Sequence, residues 1–472
     1  MQVPIRTSLS LFLAASVFVV VGCEQQNVPY TFVFSENTEA LMPEAKDGIA
    51  ESPGVKQMIL ERFGQPEELA LWNDLPIEFG GIKGTVSKFE AGPDGTATVK
   101  LELKEEYVRQ IGRPAAQLQF TAGEAKLVIC DVLSWDAETS TATISGLKDQ
   151  AVAEGDKLIM DAGSNLRFGH QIYMQHCVHC HGTTGDGQGP TARYLKPRPR
   201  DFRHGISKFT STDGRSKPAK ADYVRTLREG IPGTYMPSFV PMLNDEKLNA
   251  VVEYVRFLSI RGEMERKLVN ELAVDYSQSI YAERLADDET REEILEEFIE
   301  FMEEDMVDIL DETGEDLIED WEDAEDSVVI PDLGRMEDTA ASRRRGRELY
   351  LSQALNCMGC HGAACEGNGP QSLIYEKNPD TQELYPEAGL HDIWHNVNQP
   401  RNLTRGIYRG GRRPIDLYRR LHAGIKGTRM PSFKSLPEED IWHLVNYILS
   451  IPFEVDPGAA ETKADEAAEA NN

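Results

Sequence analysis

The chain carries one pentapeptide pattern twice, as Cys177-Val178-His179-Cys180-His181 and as Cys357-Met358-Gly359-Cys360-His361. Both read C-x-x-C-H, and each is followed by Gly and a Gly-rich run ending in Gly-Pro. Two thiols three positions apart share one helical turn, where both can add across the vinyl groups of one porphyrin. The His directly after the second Cys then reaches the iron as its proximal ligand. A lone C-x-x-C would suit a zinc half-site or a thiol redox pair, but the adjacent His favours haem. The recurrence predicts two covalently bound haem c groups, held by thioethers at Cys177, Cys180, Cys357 and Cys360, with His181 and His361 on the irons.

The surroundings of the two motifs also repeat. Leu166 to Tyr173 leads into the first, and Gly346 to Tyr350 precedes the second. An amphipathic stretch closes each unit: Leu248, Val251, Val252, Val255 and Leu258 in the first, Ile441, Leu444, Val445 and Ile448 in the second. This is an internal repeat of two all-α domains, at 161–262 and 339–456. A chain of 472 residues exceeds a single core, and the remainder divides accordingly. Residues 24–160 read as a small all-β domain with a polar lead. Alternation over 96–103 and 116–120, with 141–144 and turns such as Gly92-Pro93-Asp94-Gly95, predicts five or six short strands in a barrel or sandwich. Residues 263–338 hold thirty Asp and Glu against five Lys and Arg, most of the formal net charge of −30. Ile294, Phe298, Ile299, Met302, Met306 and Ile309 recur there at helical spacing, so an acidic helical linker is expected. The Ala/Glu-rich tail, 457–472, is expected to be disordered. The fold class is thus multidomain, all-β followed by two all-α units.

The N-terminus bears on compartment. Arg6 precedes an apolar run that ends at Val20-Val21-Gly22-Cys23, a signal peptide over 1–23 resembling bacterial lipoprotein signals. Cys23 is then the acylated first residue of an exported protein tethered to a membrane on its periplasmic side. An uncleaved anchor helix is the alternative, although the run is slightly short for a span. An unmodified Met1 in the mass spectrum of the mature protein would remove the lipoprotein reading. Covalent haem attachment also occurs outside the cytoplasm, in agreement with export. Cys130 and Cys365 are left over; a buried inert thiol is expected for the first, and nothing in the sequence brings the two together.

What occupies the iron's other face separates a carrier from an enzyme. The first unit has Gly230-Ile231-Pro232-Gly233-Thr234-Tyr235-Met236-Pro237-Ser238-Phe239, and the second has Gly424-Ile425-Lys426-Gly427-Thr428-Arg429-Met430-Pro431-Ser432-Phe433. Here both units resemble the class I cytochromes c, whose distal Met sits in such a G-T-x-M-P-S-F loop. The resemblance covers nearly half the chain and leaves out the β-rich region and the acidic segment. It implies Met236 and Met430 as sixth ligands, soft thioethers that favour Fe(II) and raise the potential. It also implies that Pro190 and Pro370, equally spaced after His181 and His361, offer carbonyls to the proximal imidazoles. Gly169 with Tyr254, and Gly346 with Tyr447, match positions where first and last helices cross. The repeat-equivalent Arg200 and Arg401 are candidates for pairing with haem propionates. Two departures are a basic loop over 196–220 and an insertion around 373–395.

These residues point to a membrane-tethered dihaem carrier of single electrons in a respiratory chain, similar to cytochrome c subunits of bacterial respiratory complexes. It would work with redox protein partners and is not expected to be an enzyme. The alternative is a dihaem enzyme, of peroxidase or thiosulfate-oxidising type, with one open haem site. Nucleic acid is disfavoured by the acidity and the export signal. Residues 193–228 and 401–434 are locally basic, so the acidic segment between the units has faces on which it could fold back.

Overall fold

The computed structural model describes residues 30–50, 52–105, 116–126, 128–147 and 151–453. The signal segment with Cys23 and the tail lie outside the described residues. Among the described residues, no helix is long and apolar enough to cross a membrane.

Six antiparallel strands close into a barrel. They are Ile82–Ala91, Thr96–Leu103, Gln117–Phe120, Ile129–Asp136, Thr141–Ser145 and Lys157–Met160. Around the barrel the order is first, second, fifth, fourth, third and sixth, the sixth pairing back onto the first. Alternation does the work expected of it: Ala97, Val99 and Leu101 point inward with Leu118, Phe120, Val132 and Ile144. The turn after the first strand has Asp94 and Gly95 at positive φ, as its sequence requires. Cys130 is buried in this barrel and free, and burial pushes its thiol up to about 11. Cys365 is also buried and free, in the second α-unit, so the two form no disulfide.

The lead is not merely polar. Short helices run over Glu36–Glu39, Pro43–Asp47 and Val55–Phe63. Val55, Met58, Ile59 and Phe63 fall at helical spacing and join the core of the first α-unit. The lead therefore belongs to that unit's core and not to the barrel.

Each α-unit is built on a crossing of its first and last helices, Ser164–His176 on Asp245–Tyr276 and Ala340–Leu351 on Glu438–Ser450. Gly169 and Gly346 sit at the crossings. A β-carbon at either would overlap the backbone carbonyl opposite, of Ala250 and of His443, and would crowd Tyr254 and Tyr447. The packing role expected of these four residues holds.

The closing helix of the first unit does not stop near residue 262. It continues unbroken to Tyr276, 32 residues in all, and buries Met264, Leu268, Val269 and Leu272 beyond that point. The acidic segment is helical as expected, over Gln278–Ala286, Arg291–Glu304 and Met306–Glu322. It folds back on the first unit. Lys217 of the basic loop pairs with buried Glu263, whose carboxylate also accepts from Trp321 Nε1 at 3.2 Å. Lys217 lies 3.5 Å from Asp320 as well. The segment's end then runs between the α-units: Asp213 donates its N–H to Ser327 O, and Arg419 Nε donates to Val329 O.

The two α-units pack directly on each other. Arg225 meets Asp416 at 2.9 Å, Lys208 meets Asp392 at 2.7 Å, and Lys426 Nζ donates to Ser216 O at 2.6 Å. Phe209 packs against Gly410, where a β-carbon would collide with its side chain.

Candidate haem centres

The attachment motifs form one helical turn in each unit, Val178–His181 and Cys357–His361. Positively turned glycines then reverse the chain. Gly187 N–H donates to His181 O at 2.9 Å and Gly367 N–H to His361 O at 2.8 Å. Gly189 and Gly369 lie so close to the carbonyls of that turn that a side chain at either would clash with backbone. The Gly-rich runs noted in the sequence thus wrap the attachment turn, and the residues after them touch its second thiol, Thr191 at Cys180 and Gln371 at Cys360.

Proximal histidine support departs from expectation. His181 Nδ1 lies 3.1 Å from the carbonyl of Arg200, and His361 Nδ1 lies 3.0 Å from the carbonyl of Arg401. Pro190 and Pro370 do not take this role. Pro370 opens a 3-10 turn, Pro370–Leu373, and Pro190 enters the turn before Ala192–Tyr194, so both carry the chain back against the attachment helix. A carbonyl can only accept, so Nδ1 carries the proton in both rings and Nε2 keeps its lone pair for a metal. Burial lowers His181 to about 4 and also lowers His361, so both are neutral, the form that ligates. The His181 ring stacks on Phe202, with centroids 4.6 Å apart.

The thiols speak against a redox pair. Burial pushes Cys177 up to about 12 and Cys357 up to about 11, whereas a reactive C-x-x-C depends on a lowered thiol pKa. Two tyrosines outside the expected set complete each turn: Tyr173 OH donates to Gly182 O at 2.6 Å, and Tyr350 OH to Gly362 O at 2.7 Å. Each lies four residues after the crossing glycine, Gly169 or Gly346, which is the signal that would have found them. Cys365 stands where the first unit has Gly185. Both have positive φ, and both carbonyls accept from the residue two after the arginine, Leu403 and Phe202.

The methionine loops match bond for bond. Ile231 N–H donates to Met236 O at 3.0 Å and Ile425 N–H to Met430 O at 3.2 Å. Met236 and Met430 N–H each donate to the loop threonine, Thr234 or Thr428, at 3.1 Å. Ser238 and Ser432 anchor the loops to the preceding helices through Arg228 O and His422 O, both at 2.5 Å. In the second unit Met430 lines one cavity with Cys357, Cys360 and His361, and Leu403, Leu417, Leu421, Ile425, Phe433 and Leu444 wall it. Of the histidines, only His361 lines it among the described residues. An apolar cleft with two thiols, a neutral imidazole and a thioether fits a covalently bound haem. In the first unit Met236 packs on the core cluster that contains Cys177.

The arginine side chains lie at the junction between the units. Arg200 is stacked on Trp394, its guanidinium carbon 3.6 Å from the ring centroid, and Arg401 Nε donates to Ile407 O at 3.0 Å.

Two family models match the chain over the two haem units. Residues 164–255 match the family described as cytochrome C oxidase, cbb3-type, subunit III, and residues 344–452 match the family cytochrome c. No curated protein matches the chain. Among solved structures, a chain of the reducing HAO-like protein complex of Kuenenia stuttgartiensis is similar at 24% identity. The match covers 60% of this chain and 95% of that one, with a TM-score of 0.41.

Proposed function

We propose, from a chain that carries two tandem cytochrome c domains and with them two covalently bound haem c groups, that the protein is a membrane-tethered carrier of single electrons in a respiratory chain. Both haems would be ligated by His and Met. The observation that carries this reading is the matched methionine loop, held by the same hydrogen bonds in each unit. Bound at these sites, haem c supplies a one-electron Fe(III)/Fe(II) couple.

The chain's own residues do the rest. Cys177 and Cys180, and Cys357 and Cys360, fix the porphyrin covalently. His181 and His361 present Nε2, with ring orientation set by the Arg200 and Arg401 carbonyls. Met236 and Met430 would offer their thioethers to the iron, which would favour its reduced state and leave no position for a substrate. Apolar walls such as Leu417, Leu421 and Phe433 keep water from the second site. An acylated Cys23 would supply the tether, and the leader sequence supports it. A terminal oxidase or related complex is the partner class that the first unit's family match supports.

The reduced protein's visible spectrum, recorded with and without CO, tests this reading. Two low-spin haems that ignore CO are expected. A high-spin fraction that binds CO would replace the carrier with an enzyme having one open haem.

A further inference from the structure

We propose that Arg200 and Arg401 couple the two haem units crosswise: each supports the proximal histidine of its own unit with its backbone carbonyl and braces the methionine loop of the other unit with its guanidinium. The inference rests on the His/Met reading above and makes the two arginines positioning residues.

The two halves of the arrangement correspond. Arg401 O accepts from His361 in the second unit, while its Nη2 lies against Gly233 in the first unit's methionine loop, so close that a β-carbon there would overlap it. Arg200 O accepts from His181 in the first unit, and its guanidinium lies 3.6 Å over Trp394. Trp394 is part of the second unit's methionine environment. A β-carbon on Gly427 would meet its ring at 2.7 Å, and the neighbouring Ile393 N–H donates to Gly427 O at 3.0 Å. Gly233 and Gly427 hold the same place, three residues before Met236 and Met430.

Two physical consequences follow. A loop braced from the other unit holds its Met thioether in place only while the units stay docked. A cation fixed beside that loop also disfavours the additional positive charge of oxidised iron, and partial burial limits its screening. The alternative use of the same arginines, pairing with the propionates of their own haem, makes the opposite assignment of effects.

Arg401→Ala deletes the guanidinium and keeps the carbonyl on His361. In the full-length, haem-loaded protein, each midpoint potential is followed by visible absorption, with M236H used to identify the first haem. The expected result is a lowering of the first haem's potential by about tenfold in equilibrium constant, about 59 mV for a one-electron couple. The far-red Met–iron absorption of that haem should weaken, and the second haem, whose cavity Arg401 also lines, should shift less. Arg200→Ala should move the second haem instead, and Arg401→Lys should restore part of the Arg401→Ala loss. Arg401→Lys also serves as the test variant if Arg401→Ala does not fold, with a smaller shift of the same haem. A shift as large or larger at the substituted residue's own haem, or none at either, overturns the proposal. Failure of the underlying reading is distinct, because the wild-type protein itself would then lack the Met–iron band.

Discussion

The two haem units share a site and a helix crossing and differ in what wraps them. The attachment turn, the carbonyl on the proximal imidazole, the tyrosine on the following glycine and the methionine loop superpose in kind, residue for residue. The first unit is wrapped by the N-terminal helices, by the 32-residue closing helix and by the acidic helices, in one continuous core. The second has a closing helix of 13 residues and a separate, smaller core, and spends its extra residues on the insertion that carries Asp392 and Trp394 to the junction. A repeated site therefore does not imply repeated stability. The attachment turn and the methionine loop recur in both units, while the surroundings were free to diverge.

The largest effect that could break this comparison is loss of one haem. C357A/C360A and C177A/C180A should each halve the haem-to-protein ratio in a pyridine haemochrome assay. C357A/C360A should make its own unit the more protease-sensitive, because the second unit's core is smaller and fewer elements from outside the unit cover it. Equal resistance of the two variants would show that the wrapping contributes little. Next is the brace peculiar to the first unit. Glu263→Ala strips a buried carboxylate from Lys217 and Trp321 and should cost about 3 kcal/mol in urea unfolding, the low end for breaking a buried pair, since Asp320 remains near Lys217. A cost under about 1 kcal/mol would reduce this contact to a surface ion pair. The smallest effect sharpens the shared part. Gly169→Ala and Gly346→Ala each force a β-carbon into the opposing helix and should each cost about 1–3 kcal/mol in thermal melts. A large inequality between them would mean that the crossings are not equivalent.

Much of the site was legible in sequence because its parts are local. C-x-x-C-H lies on one turn, and the methionine loop closes on itself through Thr234 or Thr428 within two or three residues. Barrel strands were legible where alternation was clean, as in Thr96–Leu103. The lead was misread because Val55, Met58, Ile59 and Phe63 sit among polar residues in a helix of only nine. The closing helix was cut short because its charged residues past 262 suggested an exposed linker. Glu263, Glu265 and Arg261 are instead buried and paired, Arg261 with Glu265 at 3.2 Å.

The proximal support marks the boundary most sharply. Pro190 and Pro370 looked right because the class I cytochromes c have a proline carbonyl in this role, and the two stand nine residues after each histidine. The carbonyls that accept from the imidazoles lie 19 residues on in one unit and 40 in the other, so no spacing rule finds them. By itself the sequence determined what binds, two covalently attached haems, since the attachment motif needs only a short stretch of chain. Only the tertiary structure decided which backbone orients each imidazole and that Arg200 and Arg401 reach across the junction, because loops of unequal length can bring the same atom to the same place.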